Sequence, residues 1–176
     1  MPLFIIFLTA VGLSMDAFSL SLIYGTLNMS KKTNRSMSIM VGIFHFFMPI
    51  LGYFLGTIVL KYIPVNPDTL VGIIFIILSI EMMISLTKDE QVKILTSFLS
   101  VCFFAFTVSI DSFSVGIAFG TLKNNIYISS IIFSVISALF TYTGVTLGKK
   151  LVKNFGGIST LIGSIILLFL GISYLI

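Results

Sequence analysis

The chain has 176 residues, 57% of them hydrophobic and 9% charged, where a soluble domain is about a quarter charged. Its mean hydropathy of +1.18 excludes a soluble domain, and six bilayer crossings of about 20 residues each would use about 120 residues and leave no extramembrane domain. The net charge of +4 comes from basic residues set singly or in small groups between apolar runs, a loop distribution that argues against a nucleic-acid surface.

Residues 3–27 form the first apolar run, with no positive n-region and no small-residue cleavage site, so a retained helix is expected rather than a signal peptide. Next come the basic cluster Lys31, Lys32 and Arg35 and a second run reaching Tyr62. The turn Pro64-Val65-Asn66-Pro67-Asp68 leads to a third run over 69–86, which stops at Lys88-Asp89-Glu90. The second half repeats this plan with a fourth run over 94–122, the turn Lys123-Asn124-Asn125, and a fifth run over 126–147. The cluster Lys149, Lys150 and Lys153 and a sixth run over 156–176 complete it. The expected fold is all-α, a polytopic membrane protein of six transmembrane helices arranged as two inverted three-helix repeats, residues 1–90 and 91–176.

Basic residues in short loops stay cytoplasmic. The loops after the first, third and fifth helices hold eight of them (Lys31, Lys32, Arg35, Lys88, Lys93, Lys149, Lys150 and Lys153), and those after the second and fourth hold only Lys61 and Lys123. This predicts a cell-membrane protein with both termini outside. The one cysteine, Cys102, excludes an intrachain disulfide and a cysteine metal cluster, and its apolar neighbours predict a buried side chain.

Residues 14–27 align with 109–122 at a constant offset of 95, and seven of fourteen positions are identical. Asp16 falls on Asp111, Phe18 on Phe113, Ser19 on Ser114 and Gly25 on Gly120; after small shifts in offset, Gly52 and Gly56 match Gly144 and Gly148, and Gly72 matches Gly163. An odd number of helices per repeat sends the second copy through the membrane in the opposite sense, the architecture of inverted-repeat transporters. The glycines form small-xxx-small pairs suited to close helix packing.

Each aspartate lies about 12 to 15 residues into its helix, near the bilayer midplane. A carboxylate there costs about 2.5 to 3.5 kcal/mol, so a symmetric pair calls for a cavity, a cation or protons; the alternative is a structural hydrogen bond to a neighbouring helix. Ser19 and Ser114, at i+3, share a face with the aspartates and can add hydroxyl oxygens, or can bond their own backbone. His45 precedes Pro49 by four, and proline has no N–H for the His45 carbonyl. That oxygen with the imidazole makes either a ligand group or a packed histidine at a proline kink. Glu81, seven residues before Lys88, lies too deep for a surface charge and faces either a pathway or a partner on another helix. The candidate metal ligands are therefore Asp16, Asp111, Ser19, Ser114, His45 and Glu81.

No Walker motif, dinucleotide fingerprint, zinc-protease helix or nucleophile elbow is present, so neither an enzyme nor a resident cofactor is expected. Oxygen donors suit hard divalent cations, and imidazole widens the range towards Zn²⁺, Fe²⁺ and Co²⁺. A metal held between two aspartates leaves them repelling one another when it departs, which favours proton uptake and points to antiport.

The elements Gly12-Leu13-Ser14-Met15-Asp16-Ala17-Phe18, Pro49-Ile50-Leu51-Gly52 and Ser109-Ile110-Asp111-Ser112 resemble those of the MntP-type manganese efflux pump family, within the lysine-exporter superfamily. The resemblance extends over nearly the whole chain in length, helix count and repeat placement. It implies export of Mn²⁺ from the cytoplasm, with Asp16 and Asp111 as the functional carboxylates and membrane lipid as the surrounding partner. His45 and Glu81 fall outside those elements, and an imidazole and an extra acid bear on which metal is preferred. Two other readings stand beside this one. The first is export of a small organic cation, which needs an apolar-walled pocket; the second is a non-transporting assembly or sporulation-type membrane protein. The sequence leaves oligomeric state open.

Overall fold

The computed structural model describes residues 3–27, 29–62, 66–87, 97–121, 125–148 and 154–176. Every element among the described residues is a helix: α1 (Leu3–Thr26), α2 (Lys31–Tyr62), α3 (Pro67–Ser85), α4 (Phe98–Val108), α5 (Ile110–Thr121), α6 (Ile126–Gly148) and α7 (Asn154–Leu175). The loop residues Pro64, Lys88, Asp89, Glu90, Lys93, Lys123, Lys149, Lys150 and Lys153 lie outside the described residues.

The starts follow from capping chemistry. Ser30 Oγ accepts the Thr33 N–H at 3.1 Å and opens α2, which places Lys31, Lys32 and Arg35 in its first two turns rather than in a loop. Asn66 caps α3 through the Asp68 N–H, with Pro67 in the first turn, where its missing N–H costs nothing. Ser97 and Ser100 cap α4 reciprocally. Helix α2 continues through Pro49 without interruption.

The fourth predicted run is not one straight helix: α4 and α5 meet at a 41° bend. Between them Ser109 has φ −102° and ψ 3°, outside helical values. Hydroxyls hold this geometry, since Ser109 Oγ donates to the Ala105 carbonyl at 2.7 Å and Ser112 Oγ to the Ser109 carbonyl at 2.6 Å. Among the described residues five helices are each long and apolar enough to cross a bilayer, and the α4–α5 pair, taken together as one bent span, makes six.

The distribution of polarity is that of a membrane protein. Ile43, Phe47, Leu51, Phe54 and Ile58 form an exposed apolar stripe along α2, and Ile131, Val135 and Leu139 another on α6. Between the helices lie fully buried polar groups: Ser14, His45, Ser79, Ser109, Ser112, Ser130 and Thr141. Water would reverse this arrangement, whereas lipid tails solvate the stripes and leave the polar groups to the protein interior. Cys102 is half-buried.

The halves interleave. The main helix pairs are α1 with α6 and α7, α2 with α5 and α6, and α3 with α7, each joining one half to the other. Exchanging α1 for α4–α5, α2 for α6 and α3 for α7 turns this set of pairs into itself, with α3 against α5 answering α1 against α7.

Candidate functional site

Glycines set how closely the helices carrying the aspartates approach their neighbours. A Cβ on Gly144 would lie 2.8 Å from the Phe18 carbonyl oxygen and 2.8 Å from Ser21 Cβ, and one on Gly148 would collide with the Leu22 carbonyl and the Gly25 backbone. The other half repeats these contacts: Gly52 abuts the Phe113 carbonyl, Gly56 the Ile117 carbonyl, and Gly120 the backbone of Tyr53 and Gly56. Backbone thus meets backbone along α1–α6 and α2–α5 at equivalent positions, and these seams seat Asp16 and Asp111.

Both aspartates face one cavity of about 300 Å³. Its walls are Leu13, Asp16 and Leu20 of α1, Leu78, Glu81 and Met82 of α3, Thr107 and Val108 of α4, Ile110, Asp111 and Ser114 of α5, and Leu167 of α7. Asp16 and Asp111 are half-buried, and Glu81 and Thr107 are exposed at its edge. Asp111 sits in the first turn of α5, where Oδ1 accepts the Ser112 N–H at 2.7 Å and the positive end of the helix dipole faces the carboxylate. It lies within electrostatic reach of both Asp16 and Glu81. Among the described residues three acids and no Lys, Arg or His line the cavity, a wall that attracts cations.

Of the six predicted ligands, four line this cavity: Asp16, Asp111, Glu81 and Ser114. Ser19 is buried in α1 away from the cavity wall, although it corresponds to Ser114. His45 is also off the wall, with Nδ1 bonded to Val41 and Ser109. Among the described residues, no three His, Cys, Asp or Glu side chains converge to hold an ion between them, so the carboxylates surround a space rather than form a tight cage. Thr107 was not anticipated. Its hydroxyl donates to the Phe103 carbonyl at 2.9 Å, and in the repeat it aligns with Gly12, so the symmetry that singled out the aspartates carries no signal for it.

The model of a family described as "Putative manganese efflux pump" matches residues 28–175. A protein of Bacillus pumilus named "Putative manganese efflux pump MntP" is 32% identical over 94% of this chain and 91% of its own length. Proteins of the same name from Methanosphaera stadtmanae and Methanocorpusculum labreanum are each 34% identical; the first covers 97% of both chains, the second 95% of this one and 92% of its own. No solved structure matches the chain.

Proposed function

The chain belongs to the manganese efflux pump family, and from that premise we propose that it exports a divalent metal cation, Mn²⁺ foremost, across the cell membrane. The observation that carries this reading is the pair of repeat-related aspartates facing one cavity with Glu81 and Ser114 and, among the described residues, no basic side chain on its wall. Such a wall stabilises a divalent ion through oxygen donors. In the proposed cycle Asp16 and Asp111 face the cation together while ionised. When it leaves, their repulsion draws a proton onto the pair, and proton entry drives metal exit. The protein is organised as two inverted three-helix repeats, residues 1–90 and 91–176, a reading supported by helix pairs that exchange into themselves. The loop charges favour cytoplasmic faces for the α1–α2, α3–α4 and α6–α7 connections and external termini. Ser19 and His45, which do not line the cavity, take no part as ligands in this reading.

Mn²⁺ transport into inside-out vesicles, with and without an imposed pH gradient, tests it. Parent protein should accumulate Mn²⁺ when the lumen is acidic, and Asp16→Asn and Asp111→Asn should each lower the rate at least about tenfold, the scale of losing one charge beside a partly desolvated cation. Normal insertion with undiminished transport in both variants would exclude the site.

A second reading, export of a small organic cation, has its own support: Leu13, Leu20, Leu78, Met82, Val108, Ile110 and Leu167 give the cavity apolar walls, and its volume is that of a small-molecule pocket. A panel of Mn²⁺, Zn²⁺, Co²⁺ and Cd²⁺ against basic amino acids in the same vesicles separates the two.

A further inference from the structure

His45 is the sole histidine of the chain and is wholly buried. Its Nδ1 lies 3.0 Å from the Val41 carbonyl oxygen and 2.7 Å from Ser109 Oγ. A carbonyl can only accept, so Nδ1 carries a hydrogen. Ser109 directs its own hydrogen to the Ala105 carbonyl, so towards the ring it acts as acceptor. One N–H of α2 is thereby shared between its own helix and the residue at which α4 ends and α5 begins. Nε2, on the other side of the ring, is buried with no partner among the described residues. The connection continues to the cavity: the Ser109 carbonyl accepts from Ser112 Oγ at 2.6 Å, and the Ser112 N–H donates to Asp111 Oδ1 at 2.7 Å.

The other half provides a comparison within the same molecule. Ser14, the counterpart of Ser109, bonds Ser137 Oγ at 2.8 Å. Ser137 lies 92 residues after His45, the offset that also carries Gly52 onto Gly144 and Gly56 onto Gly148. The polar contact is therefore made at equivalent places in both halves, but only one half has an imidazole there, and only that half has a broken helix; α1 runs straight through Ser14. In one half two hydroxyls meet between the helices, and in the other a hydroxyl meets an imidazole ring.

We propose that His45 is a positioning residue: through Ser109 it holds the α4–α5 break and so sets where Asp111 presents its carboxylate to the cavity. This rests on the reading of Asp111 as a cation-facing group. His45 touches no substrate in this role, so its loss should change rate without changing which metal is preferred.

The test uses the full chain reconstituted in proteoliposomes with Mn²⁺ as probe. His45→Leu removes the donor and keeps bulk, Ser109→Ala removes the acceptor, and His45→Gln keeps an N–H donor. His45→Leu and Ser109→Ala should each slow Mn²⁺ transport about three- to tenfold, the population change expected from one buried hydrogen bond. The double variant should be no slower than the slower single one, His45→Gln should recover more than half the rate, and the order of Mn²⁺ over Zn²⁺ should stay that of the parent. A second measurement reads the break directly. With Cys102→Ala and Thr107→Cys in place, the rate at which a water-soluble thiol reagent modifies position 107 should shift in the same direction in both single variants.

Full activity with unaltered labelling in His45→Leu and Ser109→Ala would overturn the proposal. So would additive losses in the double variant, or a changed metal order in His45→Leu alone, which would make the ring a ligand. Asp111→Asn is the control for the underlying reading. If it is inactive while both single variants transport normally, only this proposal fails; if it transports normally, the cavity reading fails and the labelling measurement alone decides whether His45 holds the break.

Discussion

Replacing Gly144 with alanine tests whether the close backbone seams hold the aspartates in place. The added Cβ would sit 2.8 Å from the Phe18 carbonyl oxygen and 2.8 Å from Ser21 Cβ. Ordinary contacts of these kinds are about 3.4 to 4 Å, and neither atom is the end of a flexible side chain, so α1 and α6 must separate by about 0.6 to 1.2 Å. Overpacking of this kind costs about 1 to 3 kcal/mol, and Phe18 is two residues from Asp16, so the aspartate moves with the seam. Gly12→Ala provides the contrast: its Cβ would meet the Leu167 side chain at 3.2 Å, a contact that a shift of a few tenths of an ångström relieves, while alanine contributes up to about 1 kcal/mol of helix propensity. Thermal unfolding in detergent should place Gly144→Ala about 3 to 10 °C below the parent and Gly12→Ala within about 2 °C of it, and Mn²⁺ transport should fall in the first variant only. Gly52→Ala, whose Cβ would run closer still to the Phe113 carbonyl on the equivalent seam, should lose at least as much stability as Gly144→Ala. Equal stability of Gly144→Ala and Gly12→Ala would refute the reasoning, because the seam would then yield as easily as a side chain.

Glu81→Gln removes a charge exposed at the cavity edge, worth about 1 kcal/mol to a divalent cation about 8 Å away in water. The Mn²⁺ concentration for half-maximal transport should rise about fivefold at low salt, and the effect should shrink at high ionic strength, where the Debye length is only a few Å. Leu139→Lys places a charge on the exposed stripe of α6 and should sharply reduce the amount of protein inserted, by the about 2.5 to 3.5 kcal/mol cost of a mid-span lysine; unchanged membrane yield would mean that this face meets water or a partner. Orientation is read by labelling intact cells in a Cys102→Ala background with an impermeant thiol reagent. Asn66→Cys should react from outside and Lys32→Cys only after permeabilisation, and the reverse pattern would invert the topology.

Much of the architecture was legible because its causes are local in the chain. Spans show as uncharged runs long enough for a bilayer, whereas the helix starts at Ser30, Asn66 and Ser97 are set by side-chain caps that the limits of the apolar runs did not mark. The pairing of Asp16 with Asp111 was legible for another reason: a duplicated segment preserves correspondence at a distance, and both residues do line one cavity. Thr107 had no repeat partner to draw attention to it, and Glu81, which had none either, was noticed only because an acid within a span is costly.

What the sequence by itself determined is the class of protein, its spans and the acids within them, since hydrophobic length and the cost of burying a carboxylate depend on composition along one helix. Only the tertiary structure decided which of two equivalent segments breaks. Ser14 and Ser109 stand in similar surroundings along the chain, yet α1 is continuous and α4–α5 is bent: Ser14 meets a hydroxyl from α6, whereas Ser109 meets an imidazole from α2 and its carbonyl is closed by Ser112, where α1 has Ala17. The same distinction separates Ser114, on the cavity wall, from Ser19, buried off it. Helical spacing tells which residues share a face of their own helix; which neighbour that face meets is a property of the packed bundle.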